Sequence, residues 1–234
     1  MNTMSLIKPG NVFDNEMYLA TSALGKSGID GHDVKNTFGE KDSMMSFDKY
    51  PADFLIDYII KTHHAFARKN TAIIYNLLQK IAYRHSDQHS ELKKFSEVAF
   101  FFFQDLLNQM LKEEQDLFPY IRQEVKHLEH GEKPNRNTSN YFEERIKLQE
   151  VEHAKSFNYL RLFREITNDY KIPPGACWYY MSLFEKMQQL EQDLKVHFHL
   201  EDDILFHKAI AADNGSRRQS EPQAGIDALK VSPR

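Results

Sequence analysis

The chain has 234 residues, 41% of them hydrophobic and 27% charged, with a formal net charge of −4 and a pI near 6.3. That balance suits one globular domain with polar ends and lacks the basic face of a nucleic-acid binder, so no nucleic-acid partner is expected. No apolar run approaches the roughly 18 residues that span a bilayer, no secretory leader is visible, and a single cysteine, Cys177, excludes an internal disulfide; a cytoplasmic protein without membrane association is expected.

Residues 1–48 hold most of the glycines (Gly10, Gly25, Gly28, Gly31, Gly39) and read as a poorly ordered arm, with a short helix around 15–24. Pro51 suits the first turn of a helix. From there Phe54, Leu55, Tyr58, Ile59, Phe66, Ile73, Ile74, Leu77 and Ile81 recur at three and four, which predicts a first amphipathic helix. A polar break over 84–90 ends it. A second helix is predicted over about 91–129, and Pro119 inside it predicts a kink or brief break. After a linker at 131–139, a third helix is predicted over 140–170. Pro173-Pro174-Gly175 closes it and leads into a fourth over 176–212. The tail, 213–234, has too few apolar residues to pack and is expected to be disordered. Four helices with short connections predict an all-α, up-down-up-down four-helix bundle over 49–212.

A weak internal repeat carries the chemistry. Glu113-Glu114-Gln115-Asp116-Leu117-Phe118 in the second helix matches Glu201-Asp202-Asp203-Ile204-Leu205-Phe206 in the fourth. His197 stands four residues before Glu201, one helical turn away on the same face. Gln109 holds the equivalent place in the second helix. The first helix offers His63-His64 and the third offers His153, after Glu150-Val151-Glu152. Adjacent helical residues point about 100° apart, so only one of His63 and His64 is expected to face the core fully, and periodicity leaves the choice open.

A single His–Glu pair at this spacing is ordinarily a surface pair worth a few tenths of a kcal/mol. A histidine or glutamate at similar depth on every helix points instead to a metal. Imidazole with carboxylate suits iron or manganese, with zinc an alternative, and thiolate ligands are lacking. Each acidic pair, Glu113-Glu114 and Asp202-Asp203, is expected to include one solvated residue. Four consecutive phenylalanines, Phe100 to Phe103, cover every face of a helix, so part of the run is expected to be exposed or to meet a second copy in a homodimer.

Taken together these segments resemble the hemerythrin-like di-iron proteins that repair iron–sulfur centres, the RIC type. The resemblance covers about residues 53–211. It rests on Ile59-Ile60-Lys61-Thr62-His63-His64, Lys112 through Pro119, Glu150-Val151-Glu152-His153, Pro173-Pro174-Gly175-Ala176-Cys177 and His197 through Phe206. Such proteins bind two irons through four histidines and two bridging glutamates. By position the resemblance implies His64, Glu113, His153, His197 and Glu201 as ligands, and so selects His64 over His63. Gln109 stands where the fourth histidine belongs, which implies a weaker second iron, with Asp105 or Glu150 as substitutes. Glu150 and Glu152 are expected to orient His153. The Cys-Cys pair of an N-terminal domain found in many members is replaced here by Gly28-Ile29-Asp30-Gly31-His32.

The resemblance therefore implies a non-haem iron-binding protein, an iron donor more than an enzyme, acting in iron–sulfur cluster repair under oxidative or nitrosative stress. Iron–sulfur proteins are the acceptors it implies. The alternatives are a hemerythrin-like module that binds or senses O2 or NO, and a structural bundle with a degenerate metal site, for which Gln109 is the main argument.

Overall fold

Pro51 sits just outside the first helix in extended conformation (φ −61°, ψ 153°), where its missing N–H costs nothing. The helix it precedes is the first of four in the computed structural model, which describes residues 47–85, 90–130 and 139–220. These are α1 (52–85), α2 (90–130), α3 (Ser139–Thr167) and α4 (178–220). They form the expected all-α, up-down-up-down bundle, with α1 packed mainly on α4 and α2 on α3. Of the arm expected over residues 1–48, residues 1–46 with the short helix near 15–24 lie outside the described residues, as does the tail beyond 220. What is described of the arm folds back: a short turn at Phe47–Lys49 buries Phe47 against Tyr58, ring centroids 5.1 Å apart.

Two boundaries differ from the sequence reading. The third helix stops at Thr167, not near Tyr170. Asn168, Asp169 and Tyr170 turn left-handed (φ 49°, 61° and 57°), and the Asp169 amide caps the helix by donating to the Arg164 carbonyl at 2.7 Å. Asn and Asp tolerate this conformation better than other L residues. The fourth helix continues through Ser220, past the boundary expected at Ala212. Buried Ala209, Ala212 and Asp213 hold that stretch to the end of the bundle, where it packs on the last part of α2.

Three helices change pitch midway. A π-helical turn occupies Ile59–His64 in α1, Glu113–Leu117 in α2 and Leu200–Leu205 in α4. The break expected at Pro119 takes this form. A proline in a regular helix clashes with the carbonyl four residues back, and here the widened turn falls immediately before it. The two halves of the repeat behave alike, since the Phe118 amide donates to the Glu113 carbonyl and the Phe206 amide to the Glu201 carbonyl, each five residues back. Such turns occur mostly as single insertions, frequently at functional sites.

The apolar interior is divided in two. One cluster holds Ala67, Phe95, Phe102, Phe163, Phe184 and Phe198; the other holds Phe47, Leu55, Ile59, Phe118, Leu200 and Phe206. On α1 and α3 the residues offered for metal binding fall in sequence between the two, and on α2 and α4 they stand where the first gives way to the second. Within the phenylalanine run, Phe102 and Phe103 are fully buried and Phe101 is 58% exposed, so a single ring of the four stands fully on the surface.

Candidate metal centre

Between the two apolar clusters lie His64, Gln109, Glu113, His153, His197 and Glu201, all buried. Burying two carboxylates side by side is costly unless a positive charge faces them. The ligand atoms of His64, Glu113, His197 and Glu201 all fall within 4.8 Å of one another. His64 Nε2 stands 3.0 Å from His197 Nε2, 3.2 Å from Glu113 Oε2 and 3.6 Å from Glu201 Oε1. His197 Nε2 is 3.0 Å from Glu201 Oε1. From α3, His153 Nε2 approaches the other side of the carboxylates, 3.1 Å from Glu201 Oε2 and 3.7 Å from Glu113 Oε1.

These atoms converge on common points more than they bond to one another. His153 Nε2, Glu113 Oε2 and Glu201 Oε2 have no hydrogen-bond partner, though all are buried. The far side of two rings explains why. His64 Nδ1–H donates to Glu114 Oε1 at 2.6 Å, and Glu114 also accepts from Arg68 at 2.8 Å. His153 Nδ1–H donates to Asp202 Oδ1 at 2.8 Å. A carboxylate on Nδ1 fixes the tautomer of the neutral ring and turns a bare Nε2 lone pair inward. Orphaned lone pairs of nitrogen and oxygen, closely packed in a dry site, form a donor set that fits a divalent cation of the iron or manganese type.

Without a cation, protons take its place. Burial pushes the His64 imidazole down, but Glu113, Glu114 and Glu201 outweigh it and hold it well above its usual range. Burial likewise opposes the charge on His153, yet Asp202, Glu113 and Glu201 raise it to about 11. Burial works against ionised Glu201, and His197, His153 and His64 overcome that and hold it well below the ordinary value. Glu113 is lowered too: burial and Glu201 oppose its charge, while His153 and His64 favour it.

Glu114 and Asp202, the second acids of the two repeated segments, therefore each grip a histidine of another helix; the Glu113-Glu114 pair lacks the solvated residue expected of it, and the Asp202-Asp203 pair has one in Asp203. Glu114 and Asp202 have side chains 23% and 29% exposed, whereas Asp203 is 64% exposed. The orienting role assigned to Glu150 and Glu152 belongs to Asp202. Glu150 is exposed and takes no part in the cluster, and Glu152 is half-buried, 4.0 Å from Lys155. Asp105 is spent on Lys155 at 2.8 Å and Tyr159 at 3.1 Å.

His63 is as buried as His64. The π turn that contains both brings both inward, against the expectation that only one would face the core. His63 Nδ1 pairs with Asp193 at 2.9 Å, and its ring stacks on His197 with centroids 5.8 Å apart. One further residue escaped the sequence reading. Gln149, buried one turn before His153, donates through Nε2 to Glu113 Oε1, the same oxygen that accepts from Gln109 Nε2 at 2.9 Å. The four-residue spacing of Gln149 and His153, the same as that of His197 and Glu201, is where the sequence records it. Outside these two amides lies a polar cavity of about 250 Å³, whose lining includes Asp105, Lys112, Arg145, Glu152 and Lys155.

Comparison with known proteins agrees with this geometry. Residues 55–209 match the family described as Hemerythrin HHE cation binding domain. The chain is 28% identical to the iron-sulfur cluster repair protein YtfE of Escherichia coli O157:H7 over 163 residues, covering 70% of this chain and 68% of that protein. The protein of the same name from Escherichia fergusonii matches over the same length with the same identity. Among the described residues no helix is long and apolar enough to cross a membrane.

Proposed function

This chain belongs to the hemerythrin HHE cation binding domain family, and on that footing we propose that it is a non-haem iron protein of iron–sulfur cluster repair. The observation that carries the reading is the convergence of His64, Glu113, His197 and Glu201 on one buried point, with His153 closing the opposite side of the carboxylates. His64, His197, Glu113 and Glu201 would hold one iron. His153 with the outer carboxylate oxygens outlines a second, poorer position. Bound iron supplies Lewis acidity and one-electron chemistry. The protein's own part is to aim the imidazoles through Glu114 and Asp202, to supply balancing negative charge, and to exclude bulk water with the two apolar clusters.

The biological role extends what the relatives' name states: delivery of iron to a damaged iron–sulfur protein in the cytoplasm under oxidative or nitrosative stress. Iron content of anaerobically purified protein tests the first half. Wild type should carry iron and His197→Ala should lose most of it; no iron in wild type, even after reconstitution, would sink the reading. For the second half, iron-loaded protein should restore activity to an enzyme whose [4Fe–4S] cluster has been damaged, and His197→Ala should not.

A further inference from the structure

The two sides of the Glu113–Glu201 pair are not equivalent. On the His64 side, Glu113 Oε2 is buried and has no hydrogen-bond partner, and two imidazole nitrogens stand by it and Glu201. On the His153 side, Glu113 Oε1 already accepts from two amides, Gln109 Nε2 at 2.9 Å and Gln149 Nε2. Both amides are buried, 4% and 8% exposed. They come from different helices, α2 and α3, so they close on the oxygen from two directions. Each carboxylate oxygen has only two strong acceptor directions in its plane, and two N–H donors use both. A bridging carboxylate must offer one of those directions to a second cation.

We propose that Gln109 and Gln149 form an amide clamp on Glu113 that closes the second cation position, so that this chain holds one tightly bound cation, on the His64/His197 side. The inference rests on the iron-binding reading above and deepens it. Gln109 alone is a missing histidine; with Gln149 it becomes a pair of donors that satisfies the oxygen a second ion would need. Glu113 would then serve one cation only, and His153 would stand outside the tight site, its Nε2 3.1 Å from Glu201 Oε2. Hydrogen bonds to a charged acceptor are strong enough that each is worth roughly tenfold or more in the affinity of whatever competes for that oxygen.

Anaerobic titration with Co(II), followed by absorbance and metal analysis, tests this on the full chain. Wild type should bind one Co(II) tightly, with any second ion at least about 100-fold weaker, two donors having to be displaced. Gln109→His should tighten the second ion, and adding Gln149→Leu should tighten it by about a further tenfold. Should Gln149→Leu fail to fold, Gln149→Glu in the Gln109→His background serves in its place, because it exchanges the donor for a ligand and should likewise tighten the second ion. Two ions of similar affinity in wild type would overturn the clamp while leaving the iron-binding reading intact. So would a second-ion affinity that changes less than about twofold on replacing Gln149, well under the worth of one such bond. No ion bound by any variant would overturn the iron-binding reading, and the clamp with it.

Discussion

His64 Nδ1 and Glu114 Oε1 lie 2.6 Å apart, which joins a ring on α1 to the residue next in sequence to Glu113. One dipeptide thus supplies a carboxylate to each side of the same imidazole, since Glu113 Oε2 lies 3.2 Å from His64 Nε2. The Glu201-Asp202 dipeptide does the same for His153.

The carboxylate behind a ligand of the tight site should matter nearly as much as the ligand. Glu114→Gln, which weakens the acceptor of His64 Nδ1–H, is expected to lower affinity for the first cation by about 10- to 100-fold with the fold intact. Asp202→Asn, behind His153, should change that affinity much less. Competition titration against a chelator of known affinity measures both, and unchanged affinity in Glu114→Gln would contradict the expectation.

The metal-free protein should have its stability optimum between the ordinary carboxylate and imidazole values, 4.5 and 6.5. His153, raised to about 11, contributes stability that is complete below 6.5 and drains away as pH climbs toward 11. Glu113 and Glu201, both lowered, contribute stability present above 4.5 and lost as the solution becomes more acidic. Urea unfolding of chelated protein at several pH values reads this directly. Cation affinity should move the opposite way on the alkaline side and rise with pH, because a bound ion displaces the imidazole protons.

Cation binding should raise the melting temperature. At an ion concentration 100 times its dissociation constant the gain is about 2.7 kcal/mol, which for a domain of this size is about 5–10 °C. The rise should vanish in His197→Ala and on addition of a chelator.

The apolar cluster away from the centre should be separable from it. Phe163 is fully buried, its ring centroid 4.8 Å from Phe95 and 5.5 Å from Phe102. Phe163→Ala should cost about 3–5 kcal/mol of stability. Its cation stoichiometry, measured below the melting temperature, should match wild type.

Much of this was legible because helical spacing is a strong code. The four helices follow from apolar residues at three and four, and the repeated acid-acid-x-x-Leu-Phe segment marks the depth of the centre on α2 and α4. The rest was hidden where that code fails. A π turn breaks the 3.6-residue period for a few residues only, too short to register in a hydrophobic pattern, so the burial of His63 beside His64 could not be read from it. The carboxylates behind His64 and His153 come from other helices, and no spacing within one helix records a contact across the bundle. Glu150 looked well placed because it lies near His153 in sequence, but one residue is about 100° of rotation, and Gln149 is the neighbour that shares His153's face.

The widened turns give the bundle a phase slip at one level. Each extra residue rotates the chain beyond it by about 100°, so the apolar stripe above the centre and the one below it are indexed separately on α1, α2 and α4, while unbroken α3 keeps one index throughout. Deleting one residue from any of these turns would wind the helix back into register with itself and swing the half beyond it out of its own apolar cluster. The ligands are thus tied to the insertion: in α2 and α4, the residue count that seats Phe118 and Phe206 is also the count that turns Glu113 and Glu201 inward.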